Sequence, residues 1–245
     1  MRLCTLGTSH GATEPGRACS CNLLTVNGAH YLFDCGGYVE GKLCDLNISF
    51  ADLRCAFITH MHEDHVGTLS AIVKRFCHYI PERDAFFKVF MPEENGICAF
   101  KNWLNSLHMS SVDKRASFTL VTEGVIYEDE NIKVSAIRTQ HLMNGTFPSF
   151  AYMVETADKR FLYTGDLNPD FHDYPEILYR EEFDAVLCEL VHFNVEKNMD
   201  CFLKTKTKQL IFTHMGLHNI PKIEEALDRF PYPVHIARDN AFYHN

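Results

Sequence analysis

Apolar positions along this 245-residue chain follow two rhythms. Short runs rich in β-branched and aromatic residues, bounded by Gly, Asn, Asp or Pro, predict strands at 2–6, 22–26, 30–34, 54–59, 86–91, 132–139, 150–155, 160–164, 184–189 and 209–213. Helical spacing takes over at Leu69, Ile72, Val73, Phe76 and Cys77, and again at Ile220, Ile223, Leu227 and Phe230 behind an Asn219 cap. A third helix is predicted over 195–206. Strands arrive in bunches separated by helices, which predicts an α/β (α+β) protein in which two mixed sheets pack together with helices outside, a four-layer αββα sandwich. No linker, low-complexity tract or repeat interrupts the pattern, so one domain is expected over 1–245.

At 46% hydrophobic and 22% charged residues, the chain can bury a large core and lacks the bias of a disordered segment. It shows no basic-then-apolar leader and no long apolar run, so a soluble, cytoplasmic protein without membrane contact is expected. The ten cysteines are scattered, several on apolar strands, which reads as reduced, buried thiols rather than a disulfide framework. Cys19 and Cys21 form a CxC pair that suits a structural zinc site or plain strand thiols, and the lack of a second pair favours thiols. The net charge of −9 argues against a broad nucleic-acid groove and leaves room for a small phosphate-bearing substrate.

Several of the fourteen histidines follow apolar strands, most densely in Ile58-Thr59-His60-Met61-His62-Glu63-Asp64-His65-Val66-Gly67. Imidazoles at i and i+2, then a carboxylate and a third imidazole, can face one metal pocket from a tight loop, and zinc accepts such nitrogen and oxygen ligands. The plainer reading is a solvated loop in which Asp64 favours a helix N-terminus.

This segment matches the HxHxDH motif at His60, His62, Asp64 and His65, and the chain resembles the metallo-β-lactamase superfamily. Leu32-Phe33-Asp34-Cys35-Gly36-Gly37, His141, Tyr163-Thr164-Gly165-Asp166 and Ile211-Phe212-Thr213-His214 resemble its other motifs, in the same order and each at a strand end. The resemblance implies the metallo-β-lactamase fold and two divalent metal ions, with Zn2+ favoured over Mn2+ or Fe2+. It implies that His60, His62 and His141 bind the first ion, that Asp64, His65 and His214 bind the second, and that Asp166 bridges them. Carboxylates also supply the charge that imidazoles alone lack, and two ions about 3.5–4 Å apart clamp a hydroxide and a developing oxyanion. Asp34 resembles the aspartate that orients the metal loop, with a turn role as the alternative.

Asp166 stands where the best-known zinc β-lactamases carry cysteine, which turns the reading from β-lactams towards phosphodiesters, thioesters and lactones. The opening Thr5-Leu6-Gly7-Thr8-Ser9 with Glu14-Pro15-Gly16-Arg17 resembles the glycine-containing loop of the ribonuclease Z branch and of its relative, the phosphonate-pathway phosphodiesterase. Thr8, Ser9 and Arg17 then become candidates for holding a substrate phosphate, or form ordinary strand-end punctuation. Strand 184–189 ends where ribonuclease Z carries a His-Glu-Ala-Thr element. Here Cys188 replaces the histidine, and Glu189 orienting His192 as general acid is the candidate alternative to a surface His192. Only residues 142–165 lie between His141 and Asp166, too few for the arm with which bacterial ribonuclease Z grips transfer RNA.

The expectation is a dinuclear phosphodiesterase acting on a small phosphodiester or nucleotide through a metal-bridging hydroxide, with Asp64 taking the nucleophile's proton. A ribonuclease Z-like RNA endonuclease and a thioester or lactone hydrolase remain alternatives, and a homodimer stays open. An iron-dependent oxidoreductase of the same fold is the reading from another class, weakened by His62 where diiron reductases usually place glutamate. His10 and His218 follow motif loops near the expected pocket mouth, and Phe171 and Phe193 are read as core.

Overall fold

A computed structural model describes residues 1–81, 84–109 and 111–244. The first half of the chain lays down β1 (Arg2–Gly7), β2 (Cys21–Val26), β3 (Ala29–Phe33), β4 (Leu53–Phe57), β5 (Phe87–Met91) and β6 (Ala116–Leu120). Helices α1 (Val39–Asp45), α2 (Glu63–Val66), α3 (Leu69–His78), α4 (Glu94–Ser106) and α5 (Val112–Arg115) connect them. The second half adds β7 (Gly124–Glu128), β8 (Lys133–Thr139), β9 (Ser149–Glu155), β10 (Arg160–Tyr163), β11 (Ala185–Glu189), β12 (Leu210–Thr213) and β13 (Val234–Ile236). Helices α6 (Ile177–Arg180), α7 (Met199–Lys204) and α8 (Ile220–Glu224) lie among these strands, and β14 (Ala241–His244) returns to the first sheet.

Among the described residues each sheet has seven strands, in the orders β14-β1-β2-β3-β4-β5-β6 and β13-β12-β11-β10-β9-β8-β7. Pairing is antiparallel from β14 to β3 and parallel from β3 to β6, and the second sheet repeats this change of sense at β10. The β2–β3 hairpin closes on Asn27-Gly28, whose φ angles of 49° and 85° suit the two-residue turn that follows strand twist.

Strand alternation divides the side chains between two cores. Tyr31, Phe33 and Phe57 face the second sheet, where Phe33 lies 5.2 Å from Phe57 and 6.0 Å from both Tyr152 and Phe161, ring centre to ring centre. Their neighbours Leu32, Ala56 and Ile58 point the other way, onto Leu69, Ile72, Val73 and Phe76 of α3. Each such large apolar side chain contributes about 1.5–3 kcal/mol on burial. The four-layer mixed α/β sandwich expected from the sequence is the architecture found.

The differences are local. Strands β6, β7, β13 and β14 and helices α1, α4, α5 and α6 carried no prediction. The helix expected over 220–230 stops at Glu224 and resumes only as a 3-10 turn at Leu227–Arg229. Its expected cap does another job, since the Asn219 amide donates to the Leu190 carbonyl at 2.7 Å. The helix expected over 195–206 begins as a 3-10 turn, Glu196–Asn198, and is α-helical only from Met199.

Candidate metal centre

Five chain segments following β3, β4, β8, β10 and β12 bring their polar residues together. After β4, the Ile58 N–H still bonds to the Phe90 carbonyl, so the sheet holds the chain until Thr59. His60 and His62 follow, and α2 then presents Asp64 and His65. The segment after β3 packs directly on this turn, with the Cys35 N–H donating to the His65 carbonyl at 2.7 Å. Gly36 makes that approach possible, because a Cβ there would sit 1.6 Å from the Asp64 carbonyl oxygen.

Asp166 Oδ2 is the hub. It lies 3.2 Å from His214 Nε2, 3.4 Å from His65 Nε2, and 3.7 Å from both His60 Nε2 and His141 Nε2. His62 Nδ1 closes on His60 Nε2 at 3.0 Å. Asp64 Oδ2 approaches His65 Nε2 at 3.4 Å and His214 Nε2 at 3.9 Å. One group of ligand atoms thus comprises His60, His62, His141 and Asp166, and another comprises Asp64, His65 and His214, each within 4.8 Å.

The far ring nitrogens are held by partners. His60 Nδ1 lies 3.0 Å from Thr59 Oγ1, His65 Nδ1 2.8 Å from Asp34 Oδ2, His141 Nδ1 3.2 Å from the Leu167 carbonyl, and His214 Nδ1 2.7 Å from Ser20 Oγ. A protonated Nδ1 in each case leaves the Nε2 lone pair facing the hub, the arrangement that metal-binding imidazoles need. His65 Nε2, His141 Nε2 and Asp166 Oδ1 are buried without a hydrogen-bond partner, a costly state that a bound cation relieves. The donor set therefore fits divalent metal.

Electrostatics follow from this crowding. Burial, with the neighbouring His65, holds His60 well below the usual imidazole range. Burial also lowers His141. For His65 burial acts in the same sense, but the carboxylates of Asp166 and Asp34 prevail and raise it. Burial would raise Asp166, yet His214 and His65 hold it far below the ordinary carboxyl value.

Asp34 is where the expectation for an orienting aspartate falls. Fully buried at a left-handed φ of 63°, it accepts from the Thr59 N–H at 2.8 Å, the Tyr163 hydroxyl at 2.8 Å and His65 Nδ1. Glu189 is equally buried, accepting from the Leu167, Val191 and His192 N–H groups, with Oε1 2.9 Å from His192 Nδ1. His192 stands beside the hub, its Nδ1 3.8 Å from Asp166 Oδ2 and its ring 4.5 Å from that of His141. Burial would lower it, but the hydrogen bond and charge of Glu189, helped by Asp166, push it up to about 9.

The residues of the expected phosphate loop have partners within the chain. The Thr8 N–H and hydroxyl both donate to Asp239 Oδ1, and the Ser9 hydroxyl donates to the Ala12 carbonyl. Arg17 is spent on Glu14 Oε2 at 2.6 Å and on the Thr8 carbonyl at 2.6 Å. These donors brace the loop itself. Cys19 and Cys21 are buried free thiols, raised by burial, and Phe171 and Phe193 pack on each other in the core at 4.3 Å. His10 and His218 form an edge-to-face pair at 6.4 Å. Sequence reasoning missed Thr59, Ser20 and Tyr163, whose roles depend on partners brought up by folding, although Thr59 and Tyr163 stand next to or inside recognised motifs.

Comparison with known proteins places the chain among relatives. A family model described as anti-Pycsar protein Apyc1 matches residues 1–212. A ribonuclease Z of Listeria innocua serovar 6a is 28% identical over 163 residues, 65% of this chain and 51% of that protein, so the chain spans about half the length of the curated relatives it matches. Among solved structures, the metallo-β-lactamase fold protein YhfI of Bacillus subtilis superposes with a TM-score of 0.78 at 17% identity, covering 99% of both chains. A diphosphatase of the PhnP family does so at 0.71 and 16% identity, over 100% of this chain and 97% of that one. The fold is that of the metallo-β-lactamases.

Proposed function

The chain belongs to the anti-Pycsar protein Apyc1 family, and from that premise we propose that it is a dinuclear metal-dependent phosphodiesterase of small phosphodiesters or nucleotides. The observation that carries the proposal is the convergence of His60, His62, His141, Asp64, His65 and His214 on Asp166, with buried ligand atoms left unpartnered. His60, His62 and His141 would hold one cation, Asp64, His65 and His214 the other, and Asp166 would be shared. Zn2+ suits this nitrogen-rich set best, with Mn2+ and Fe2+ compatible. When bound, such a pair brings water towards ionisation at neutral pH and neutralises charge on a phosphoryl group.

The chain's own residues supply the rest. Asp64, whose carboxyl His65 and His214 hold below its usual range against the pull of burial, would be the group placed to take a proton from water. Glu189 fixes the Nδ1 face of His192, so the opposite Nε2–H is the one offered to the leaving oxygen. Residues 142–165 are taken up by a short 3-10 turn, β9 and β10, which favours small substrates over a gripped RNA. Ribonuclease Z-like RNA cleavage is the second reading, favoured by the ribonuclease Z relatives. Among the described residues no helix is long and apolar enough to cross a membrane.

The test is a panel of bis-p-nitrophenyl phosphate, cyclic nucleotides, precursor transfer RNA, a thioester and a lactone, each run with Zn2+, Mn2+ and Fe2+. Turnover of the small phosphodiesters with intact transfer RNA is expected. Cleavage at the transfer-RNA 3′ end would move the protein to the second reading. Turnover of only the thioester or lactone would overturn both.

A further inference from the structure

His214 takes its support from distant parts of the chain. Its backbone is left-handed, with φ 46°, a conformation a bulky residue holds only when its surroundings impose it. It also stands just past the residues matched by the family model. The Leu190 N–H donates to its carbonyl at 3.3 Å, and two further contacts come from the flanks of one loop: the Met215 N–H donates to the Thr8 carbonyl at 3.1 Å, and Ser20 Oγ meets the imidazole Nδ1 at 2.7 Å.

What holds that loop is Asp239. Its side chain is only 7% exposed, and all four contacts to it come from donors. Oδ1 accepts from the Thr8 N–H at 3.1 Å and the Thr8 hydroxyl at 2.8 Å, while Oδ2 accepts from the Ala18 N–H and Lys42 Nζ, each at 2.8 Å. One carboxylate thus ties the two ends of loop 8–18 together, where the Ser9 N–H also donates to the Ala18 carbonyl at 2.8 Å. Asp239 sits where the two sheets meet, because the Ala237 N–H bonds to the Phe212 carbonyl of β12 and the Asn240 N–H to the Thr5 carbonyl of β1. The candidate centre is itself divided between the sheets, with Asp64 and His65 following β4 and His214 following β12.

We infer that Asp239 is a positioning residue for the second cation: by clamping loop 8–18 across the sheet seam, it fixes His214 at its distance from Asp64 and Asp166. This rests on the two-cation reading of the site. Loosening the clamp weakens the group containing His214 and leaves the other group, in which His60 and His141 have their own supports at Thr59 and Leu167, unchanged. Asn at this position keeps the shape but replaces one acceptor oxygen with an NH2 that opposes existing donors.

The experiment is stepwise Zn2+ titration of metal-stripped protein against a competing chelator, resolving two affinities, for wild type, Asp239→Asn, Thr8→Val and Lys42→Met. Asp239→Asn is expected to weaken the second affinity by about 10–100-fold, as loss of an outer partner does, with the first within about twofold. Thr8→Val, which removes one of the donors, should give a smaller loss in the same site and decides the matter should Asp239→Asn not fold. Lys42→Met spares the loop contacts and should lower thermal stability without separating the two affinities. Equal loss at both sites, or no loss, overturns the positioning role. A wild-type protein that binds a single ion overturns the two-cation reading instead.

Discussion

Asp34→Asn tests the logic of the centre most directly, because it changes no ligand and little volume. In the native protein Asp34 Oδ1 accepts from the Thr59 N–H, while Oδ2 accepts from Tyr163 at 2.8 Å and from His65 Nδ1 at 2.8 Å. Asparagine tolerates the left-handed backbone at φ 63°, so the main chain has no reason to move. Its NH2 must nevertheless face either the Thr59 N–H or the Tyr163 and His65 donors. One buried donor then loses its acceptor, at a cost of about 1–3 kcal/mol. The cheapest relief is for His65 to shift its proton from Nδ1 to Nε2, but Nε2 faces Asp166 and Asp64 at 3.4 Å and is the atom a cation needs. Metal affinity should therefore fall by about 10–100-fold, or about 1.4–2.7 kcal/mol, on top of the loss in the metal-free protein. Chelator-competition titration measures the first quantity and urea unfolding of metal-stripped protein the second. Tyr163→Phe, which removes a donor and leaves His65 alone, should lower stability by about 1 kcal/mol with affinity kept within about twofold. An Asp34→Asn protein that binds metal as tightly as wild type refutes the reasoning.

Three further outcomes follow from the same geometry. Asp166→Ala removes the hub shared by four imidazoles and should abolish bound metal and turnover together, so elemental analysis finding full metal in an active variant sinks the scheme. His192→Ala should lower kcat by about 100- to 10,000-fold with metal content unchanged, and Glu189→Gln should reproduce part of that loss; an unaltered kcat in His192→Ala removes it from the acid role. For Asp129, burial pulls the carboxyl upward, but the hydroxyls of Tyr31 and Tyr127 and the N–H groups of Ile132 and Asn131 hold it below the ordinary value. A lowered folded value means that its stabilisation is complete above the unfolded value of about 3.9 and disappears as pH falls through the folded one. The stability gap between wild type and Asp129→Asn in urea unfolding should thus be constant above about pH 5 and shrink below it, and a gap independent of pH contradicts the assignment.

How far the sequence could be read depends on where each element's neighbours lie. The strands it predicted have a neighbour on each side, so burial forces the apolar pattern that makes them visible. Those it missed, β14 and β6 in one sheet and β13 and β7 in the other, are the edge strands of the two sheets. An edge strand answers to a single partner and exposes part of its face: Leu120 is 43% exposed and Val125 57%. The apolar rhythm is accordingly weak there, while β13 has only three residues in which to show one. The same rule explains the missed helix α4, in which Leu104 is the buried residue and Trp103 lies 54% exposed.

In the candidate centre the division runs between the proposed ligands and the residues that hold them in place. His60, His62, Asp64, His65, His141, Asp166 and His214 announce themselves because their chemistry fixes residue type and their motifs fix spacing. The residues that aim them carry no such signature, since Ser20 reaches His214 and Tyr163 reaches Asp34 only after the sheets have packed. Thr8 and Arg17 show the converse case. As sequence they are donors near a glycine and fit an anion; in the folded protein Asp239 and Glu14 have already taken them. A donor's availability is a property of its acceptor, and here the acceptor of Thr8 lies at the far end of the chain. The substrate question has the same form: it turns on which donors the folded centre leaves free, and on the proposed reading that is the Nε2 of His192, whose Nδ1 Glu189 already holds.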